Sequence, residues 1–151
     1  MPETKRTGVY PVYENQFVLG ETKESATPIK DMETFSVSFD NGVEEWKPFD
    51  HKGWTRRLMT AKSVTISING KRNVGDPGND YVAGKAFVNG RDAEGYLGWN
   101  FPDGTVVGFE GCVFNVTNIG AGDSTAVGPL EFEMLSNGKP DVTLPDTQAH
   151  A

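Results

Sequence analysis

The sequence predicts a mainly β protein, built on an antiparallel sheet with one short flanking helix. Three observations predict it. Apolar residues occupy every second position in Phe35-Val37-Phe39, Val64-Ile66-Ile68 and Leu130-Phe132-Met134, with Ser, Thr, Asp or Glu between them, the alternation of strands that are packed on one face and wet on the other. Asn41-Gly42 and Asp103-Gly104 interrupt such stretches, and these pairs suit tight hairpins because both residue types tolerate positive φ. Near Asn79 alone does the spacing change to a helical one, through Val82, Ala83, Ala86 and Phe87.

Each element follows in order. In "METFSVSFDNGVEEWKPF", a two-residue turn at Asn41-Gly42 pairs Val37 with Trp46 and Ser38 with Glu45. "KSVTISIN" places Val64, Ile66 and Ile68 inward and Ser63, Thr65 and Ser67 outward. The helix is expected at about residues 79–89: Asn79 is an N-cap, Asp80 suits the positive end of the helix dipole, and Asn89-Gly90 provides a left-handed stop. Gly75, Pro77 and Gly78 then make the reversal from strand to helix. A second hairpin about Asp103-Gly104 pairs Phe101 with Val106 and Trp99 with Gly108. Its longer arm, "TVVGFEGCVFNVTNI", is apolar on both faces, as expected of a central strand. "GPLEFEML" alternates once more. The 151 residues are the length of one domain, and the whole chain, 1–151, is read as one, with polar, flexible arms at about 1–14 and 143–151.

The loop "NGKRNVGDPGNDYVAG" looks like a binding site but lacks the residues that would make it one. A P-loop requires Lys and Ser/Thr where this chain has Asn79 and Asp80, and an EF-hand counted from Asp76 requires Glu where Phe87 stands. No HExxH, GxSxG or CxxC occurs, and the two histidines are His51 and His150. No catalytic residue, metal site or cofactor is therefore assigned, and the protein is not read as an enzyme. Cys112 is the lone cysteine and is expected to pack as a small hydrophobe. Asn115 heads an "NVT" sequon inside the central strand of a chain with no secretory h-region. No apolar run is long enough for membrane insertion.

The net charge of −7 is unevenly distributed. Seven basic residues, Lys47, Lys52, Arg56, Arg57, Lys62, Lys71 and Arg72, stand against the single acid Asp50 between positions 47 and 72, whereas beyond Phe101 only Lys139 is positive. Such a chain is suited to joining copies of itself, basic part onto acidic part.

The run "FDNGVEEWKPFDHKGWTRRLMTAKSVTISINGKRNVGDPGNDYVAG", followed by "WNFPDGT" and "LEFEMLSNGKP", resembles the major tail (tail tube) proteins of long-tailed phages of Gram-positive bacteria, over roughly Val18 to Val142. The resemblance implies a β-sandwich or barrel-like sheet pair with one helix, homohexameric rings, and a stack of rings through which double-stranded DNA passes during genome ejection. It implies a virion protein made in the bacterial host cytoplasm, whose partners are itself and the tape measure, terminator and baseplate proteins.

It also implies a long inter-strand loop, about residues 43–60, used between rings. Trp46, Phe49, Lys52, Trp54, Arg56 and Arg57 are its stacking candidates, and the three aromatics must either anchor a neighbour or fold back onto the sheet. A channel for a polyanion avoids Arg and Lys, so the lumen candidates are the polar stripes Ser36, Ser38 and Asp40, then Ser63, Thr65 and Ser67, then Glu131 and Glu133. Which stripe faces inward is not legible. Two other readings remain: a single-ring tail or secretion-tube protein, and a DNA-binding module using the basic segment 47–72.

Overall fold

The computed structural model describes residues 8–145. Among the described residues eight strands form one antiparallel sheet: β1 (Gln16–Gly20), β2 (Thr27–Pro28), β3 (Met32–Trp46), β4 (Arg56–Lys71), β5 (Glu94–Asn100), β6 (Val106–Ile119), β7 (Pro129–Leu135) and β8 (Asp141–Thr143). The order is β2-β1-β5-β6-β7-β4-β3, with β8 paired to the start of β6. The sheet curls until its two ends meet. Phe35 of β3 lies edge-on to Phe17 of β1, with ring centroids 4.9 Å apart, and both rings contact Trp99 of β5. Closing apolar faces against each other in this way removes them from water, and it produces the barrel-like layer pair that the resemblance implies.

The core lies between these layers. Ile66, Ile68, Leu130, Phe132 and Met134 are fully or almost fully buried, as their alternation predicts, and Leu19, Leu97 and Phe114 belong to the same core, Phe114 as the cross-strand partner of Met134. β6 is central, between β5 and β7. Cys112 is buried there and donates through Sγ to the Gly95 carbonyl at 3.4 Å; burial pushes its thiol up to about 12.

The local turn signals fare less well. No hairpin forms at Asn41-Gly42: β3 continues, with Asn41 opposite Lys62 and Gly42 opposite Ala61, and the register shifts by one residue at Thr60 before Val43 pairs with Met59. A type I′ turn needs positive φ at both residues, and neither adopts it. Continuing the strand lets Phe39 pair with Val64 and Val43 with Met59, so long-range pairing overrides the turn preference. The expected loop of 43–60 shrinks to residues 47–55, because 43–46 and 56–60 are strand. At Asp103-Gly104 the hairpin forms, but one residue out of the expected register: Trp99 pairs with Val107, and Asn100 with Val106. The Phe101 N–H donates to the Thr105 carbonyl, and Gly104 has a φ of 98°, so this is a three-residue loop with glycine in the left-handed position.

The helix α1 is Pro77–Ala83, shorter and earlier than expected. Asp76, not Asn79, is the N-cap, with Pro77 in the first turn. Gly90 has positive φ but opens a 3-10 turn, Gly90–Ala93, and does not end the helix. α1 inserts Val82 into the core and sets Tyr81 edge-on to Phe114. Of the expected arms, residues 1–7 and 146–151 lie outside the described residues. Val12–Glu14 forms a 3-10 turn, and Thr143 pairs with Val106 in β8.

Candidate functional site

The glycine-rich loop serves its own backbone. Asp76 accepts from the N–H groups of Asn79 (3.1 Å) and Lys30 (3.0 Å), joining the helix to the start of β3. The buried Asn79 accepts through Oδ1 from Arg72 Nη1 (2.8 Å) and the Asn73 N–H (3.0 Å). Its Nδ2 donates to the carbonyls of Lys71 (2.9 Å) and Lys30 (3.3 Å). Asp80 accepts from Arg72 at 2.8 Å and from the Gly75 N–H. Gly75 has a φ of 101° and forms the turn, whereas Gly78 is needed for space: a Cβ there would collide with the Pro28 carbonyl oxygen. Among the described residues, no group of three His, Cys, Asp or Glu could hold a metal.

This network predicts an acid limb in stability. The Arg72 guanidinium, with the Gly75 N–H, holds the Asp80 carboxyl below its ordinary value, and Lys85 does the same for Glu21. A carboxylate whose pKa is lower in the folded state stabilises the fold above its unfolded pKa and loses that effect as pH falls through the folded one. The melting temperature is therefore expected to fall as pH drops below about 4, and Asp80→Asn should flatten part of that fall. An unchanged acid limb in thermal melts of Asp80→Asn would contradict the assignment.

The stacking candidates come together on one projecting hairpin. β3 and β4 extend past the body of the sheet as a two-stranded ribbon, since β7 accompanies β4 only from Thr65 to Lys71. The tip is ordered by its own backbone bonds. Phe49–His51 forms a 3-10 turn, Lys52 is left-handed at φ 51°, and the N–H groups of Lys52 and Trp54 donate to the carbonyls of Phe49 and His51. Trp46 lies under the Arg56 guanidinium at 5.9 Å, and Arg56 reaches His51 Nε2 at 3.2 Å. Arg57 pairs with Glu45 at 2.9 Å, an exposed ion pair of little energetic weight. Phe49 is 101% exposed and Trp54 79%, so these aromatics do not fold back onto the sheet.

The lumen candidates also come together. Ser36 is opposite Ser67, Ser38 opposite Thr65 and Asp40 opposite Ser63. Ser67 and Asn69 are in turn opposite Glu133 and Glu131. Cross-strand partners share a face, so all three stripes form one polar surface across β3, β4 and β7. It continues onto β6 through Asn115, whose Nδ2 donates to Glu133 at 3.2 Å, and Thr117, which donates to the Glu131 carbonyl. Sequence reasoning missed Asn69, Asn115 and Thr117. The alternation of β6 is blurred by apolar residues on both faces, and Asn115 drew notice only as a sequon.

The fold has close counterparts among solved structures. A chain from the tail of an empty gene transfer agent particle with C6 symmetry matches with a TM-score of 0.69 and 22% identity, over 89% of this chain and 99% of that chain. A chain from the sheath-tube complex of an extracellular contractile injection system matches with a TM-score of 0.60 and 11% identity, over 89% of this chain and 90% of that one. A chain from the sheath/tube terminator of such a system gives 0.60 and 11%, over 91% and 98%. No family model and no curated protein sequence matches. No helix among the described residues is long and apolar enough to cross a membrane. The likeness is one of fold: this chain has the mainly β, single-helix tail tube fold seen in phage-like tails and injection particles.

Proposed function

We propose that six copies of this chain form a ring, and that rings stack into a tail tube that conducts double-stranded DNA during genome ejection. The observation that carries the reading is the agreement of nearly the whole fold with a chain from a C6-symmetric tail. Two features of the chain suit the role. The ordered hairpin tip presents Phe49 and Trp54 to solvent beyond the body of the sheet, as a contact made along an axis requires. The polar face presents hydroxyls, amides and the carboxylates of Asp40, Glu131 and Glu133, which would repel phosphates and stay hydrated. Tape measure, terminator and baseplate proteins are the further partners, and the virion is the location. The assignment to long-tailed phages of Gram-positive bacteria rests on the sequence resemblance. The role is structural and not enzymatic, since the polar groups of the glycine-rich loop are engaged in holding its backbone.

A single-ring role is the second reading, favoured by the match to a terminator chain. A DNA-binding module is disfavoured, because Arg57, Lys71 and Arg72 of the basic segment are paired with Glu45, Glu33 and Asp80. Electron microscopy of the purified protein, with mass determination, separates these. Open-ended tubes of sixfold rings are expected. A uniform population of closed rings would favour the terminator role, and a monomer at every concentration and salt would overturn self-assembly.

A further inference from the structure

The two ends of the sheet formed by β3, β4, β7 and β6 are unlike. At one end the β3–β4 ribbon runs past β7 from Val64 to Arg56, about 25 Å at the usual rise of a strand, and it carries the tip with Phe49 and Trp54. At the other end, where Lys71 pairs with Pro129 and Ile119 with Leu130, residues 120–128 link β6 to β7. This link is uncovered but ordered. The Ala126 N–H donates to the Asp123 carbonyl (3.0 Å), the Ala121 N–H to Asn118 Oδ1 (3.1 Å), and the Arg72 N–H to the Gly128 carbonyl (2.9 Å). The last bond sets the link beside the turn that carries Val74. Val74 is 81% exposed and Val127 66%, and Asp123 is the only charged residue from Ile119 to Gly128.

We propose that the β6–β7 link of one copy is the seat for the hairpin tip of a copy in the next ring. The inference rests on the self-assembly reading above and names the surface that the tip meets. Position selects the tip as occupant. A head-to-tail contact joins two different patches, and copies stacked along the strands of this sheet bring the tip end of one to the link end of the next. Other exposed apolar segments belong to the link end: Val12 and Tyr13 lie beside Met32 and Thr34, where β3 begins, and Phe87 and Val88 follow α1, which starts soon after β4 ends. At the tip end, the core stripe of Ile68, Ile66 and Val64 passes outward to Phe39 and Met59, but these lie on the ribbon behind the tip.

The chemistry of the two patches is complementary as well. The tip offers Phe49 and Trp54 among Lys47, Lys52 and Arg56. The seat offers the apolar side chains of Val74 and Val127, the hydroxyls of Ser124 and Thr125, and the Asp123 carboxylate. The cations at the end of β4 do not oppose the tip, because Lys71 is paired with Glu33 and Arg72 with Asp80. Lys30 precedes β3, on the far side of β4 from β7. In this arrangement the polar face of β3, β4, β7 and β6 runs on from one ring to the next.

Crosslinking tests this. Cys112 is buried, so added thiols react selectively. Asp50 and Ser124 are exposed and outside the core. An Asp50→Cys chain and a Ser124→Cys chain, mixed before assembly and treated with a short bis-maleimide, are expected to give a covalent dimer that neither gives alone. A chain carrying both cysteines should give a ladder of oligomers, since its own tip and link are at opposite ends of the sheet. Asp123 holds the link through its carbonyl and not its carboxylate, so Asp123→Lys should keep the β circular dichroism and slow assembly at least about tenfold. Lys47→Glu in the same chain should recover most of that loss. The proposal is overturned if tubes form without the crosslink, if Asp50→Cys links to Lys5→Cys, Tyr10→Cys or Val142→Cys in place of Ser124→Cys, if the chain with both cysteines links only within itself, or if Asp123→Lys assembles at the wild-type rate. Tubes without the crosslink would leave the tube reading standing, whereas a wild-type protein that never assembles would remove both.

Discussion

Trp54→Ala is expected to leave the subunit folded and to stop tube growth. The indole is 79% exposed and lies outside the core, so its removal costs the fold little. Yet the backbone around it is held by the 3-10 turn and the bond from the Trp54 N–H to the His51 carbonyl. A large aromatic on an ordered tip is the kind of residue that anchors an interface, where truncation typically costs about 2 kcal/mol or more. That is roughly thirtyfold in affinity per contact, and it would be repeated by every copy in a ring. Arg56→Glu with Arg57→Glu should act differently. It loses an exposed ion pair to Glu45 and the stacking of Arg56 on Trp46, and it should mainly slow association and change its salt dependence. Circular dichroism and electron microscopy of each variant measure both halves of the expectation. If Trp54→Ala forms tubes of wild-type length at the wild-type rate, the tip is not the joint.

Asn79→Leu is expected to have the opposite profile, with the subunit itself failing. The substitution keeps the approximate volume but removes the partner of the Asn73 N–H, of the Lys71 and Lys30 carbonyls, and of one Arg72 contact. Each buried polar group left unpaired costs about 1–3 kcal/mol, so a total loss of about 3 kcal/mol or more is expected. For a domain of this size, that lowers the melting temperature by about 6–12 °C. Gly78→Val should be comparably damaging through collision with the Pro28 carbonyl and not through dihedral strain. Chelators should leave the wild-type melt unchanged, because the polar side chains of this loop are engaged by its own backbone and by Arg72. A wild-type melt from Asn79→Leu would mean that water replaces these bonds without cost, and a midpoint lowered by EDTA would restore the metal reading.

The strand pattern was legible wherever one face of a strand is buried. Val64-Ile66-Ile68 and Leu130-Phe132-Met134 alternate because their partners cover a single face, and that periodicity is written directly into composition. Local signals that compete with pairing were less informative. Asn41-Gly42 has a strong turn preference, but a turn preference is worth about 1 kcal/mol or less, and a strand continued through it gains a ladder of partners from Val43 to Trp46. The helix start moved from Asn79 to Asp76 for a related reason: Asn79 is committed to Arg72, Lys71 and Lys30, contacts that no local spacing encodes.

The candidate surfaces divide along the same line. The order of residues along the chain is enough to read a β-rich protein, the polar residues of each strand, and one segment in which bulky aromatics and basic residues lie together. It takes the folded arrangement to join three separate polar stripes into one surface, to leave Phe49 and Trp54 uncovered at the hairpin tip, and to bring the core stripe out at Phe39 and Met59. Periodicity records which face of a strand is wet. Strand order, and hence which wet faces adjoin, depends on contacts between residues far apart in the chain, such as Ser67 with Glu133, and those contacts leave no local periodic trace.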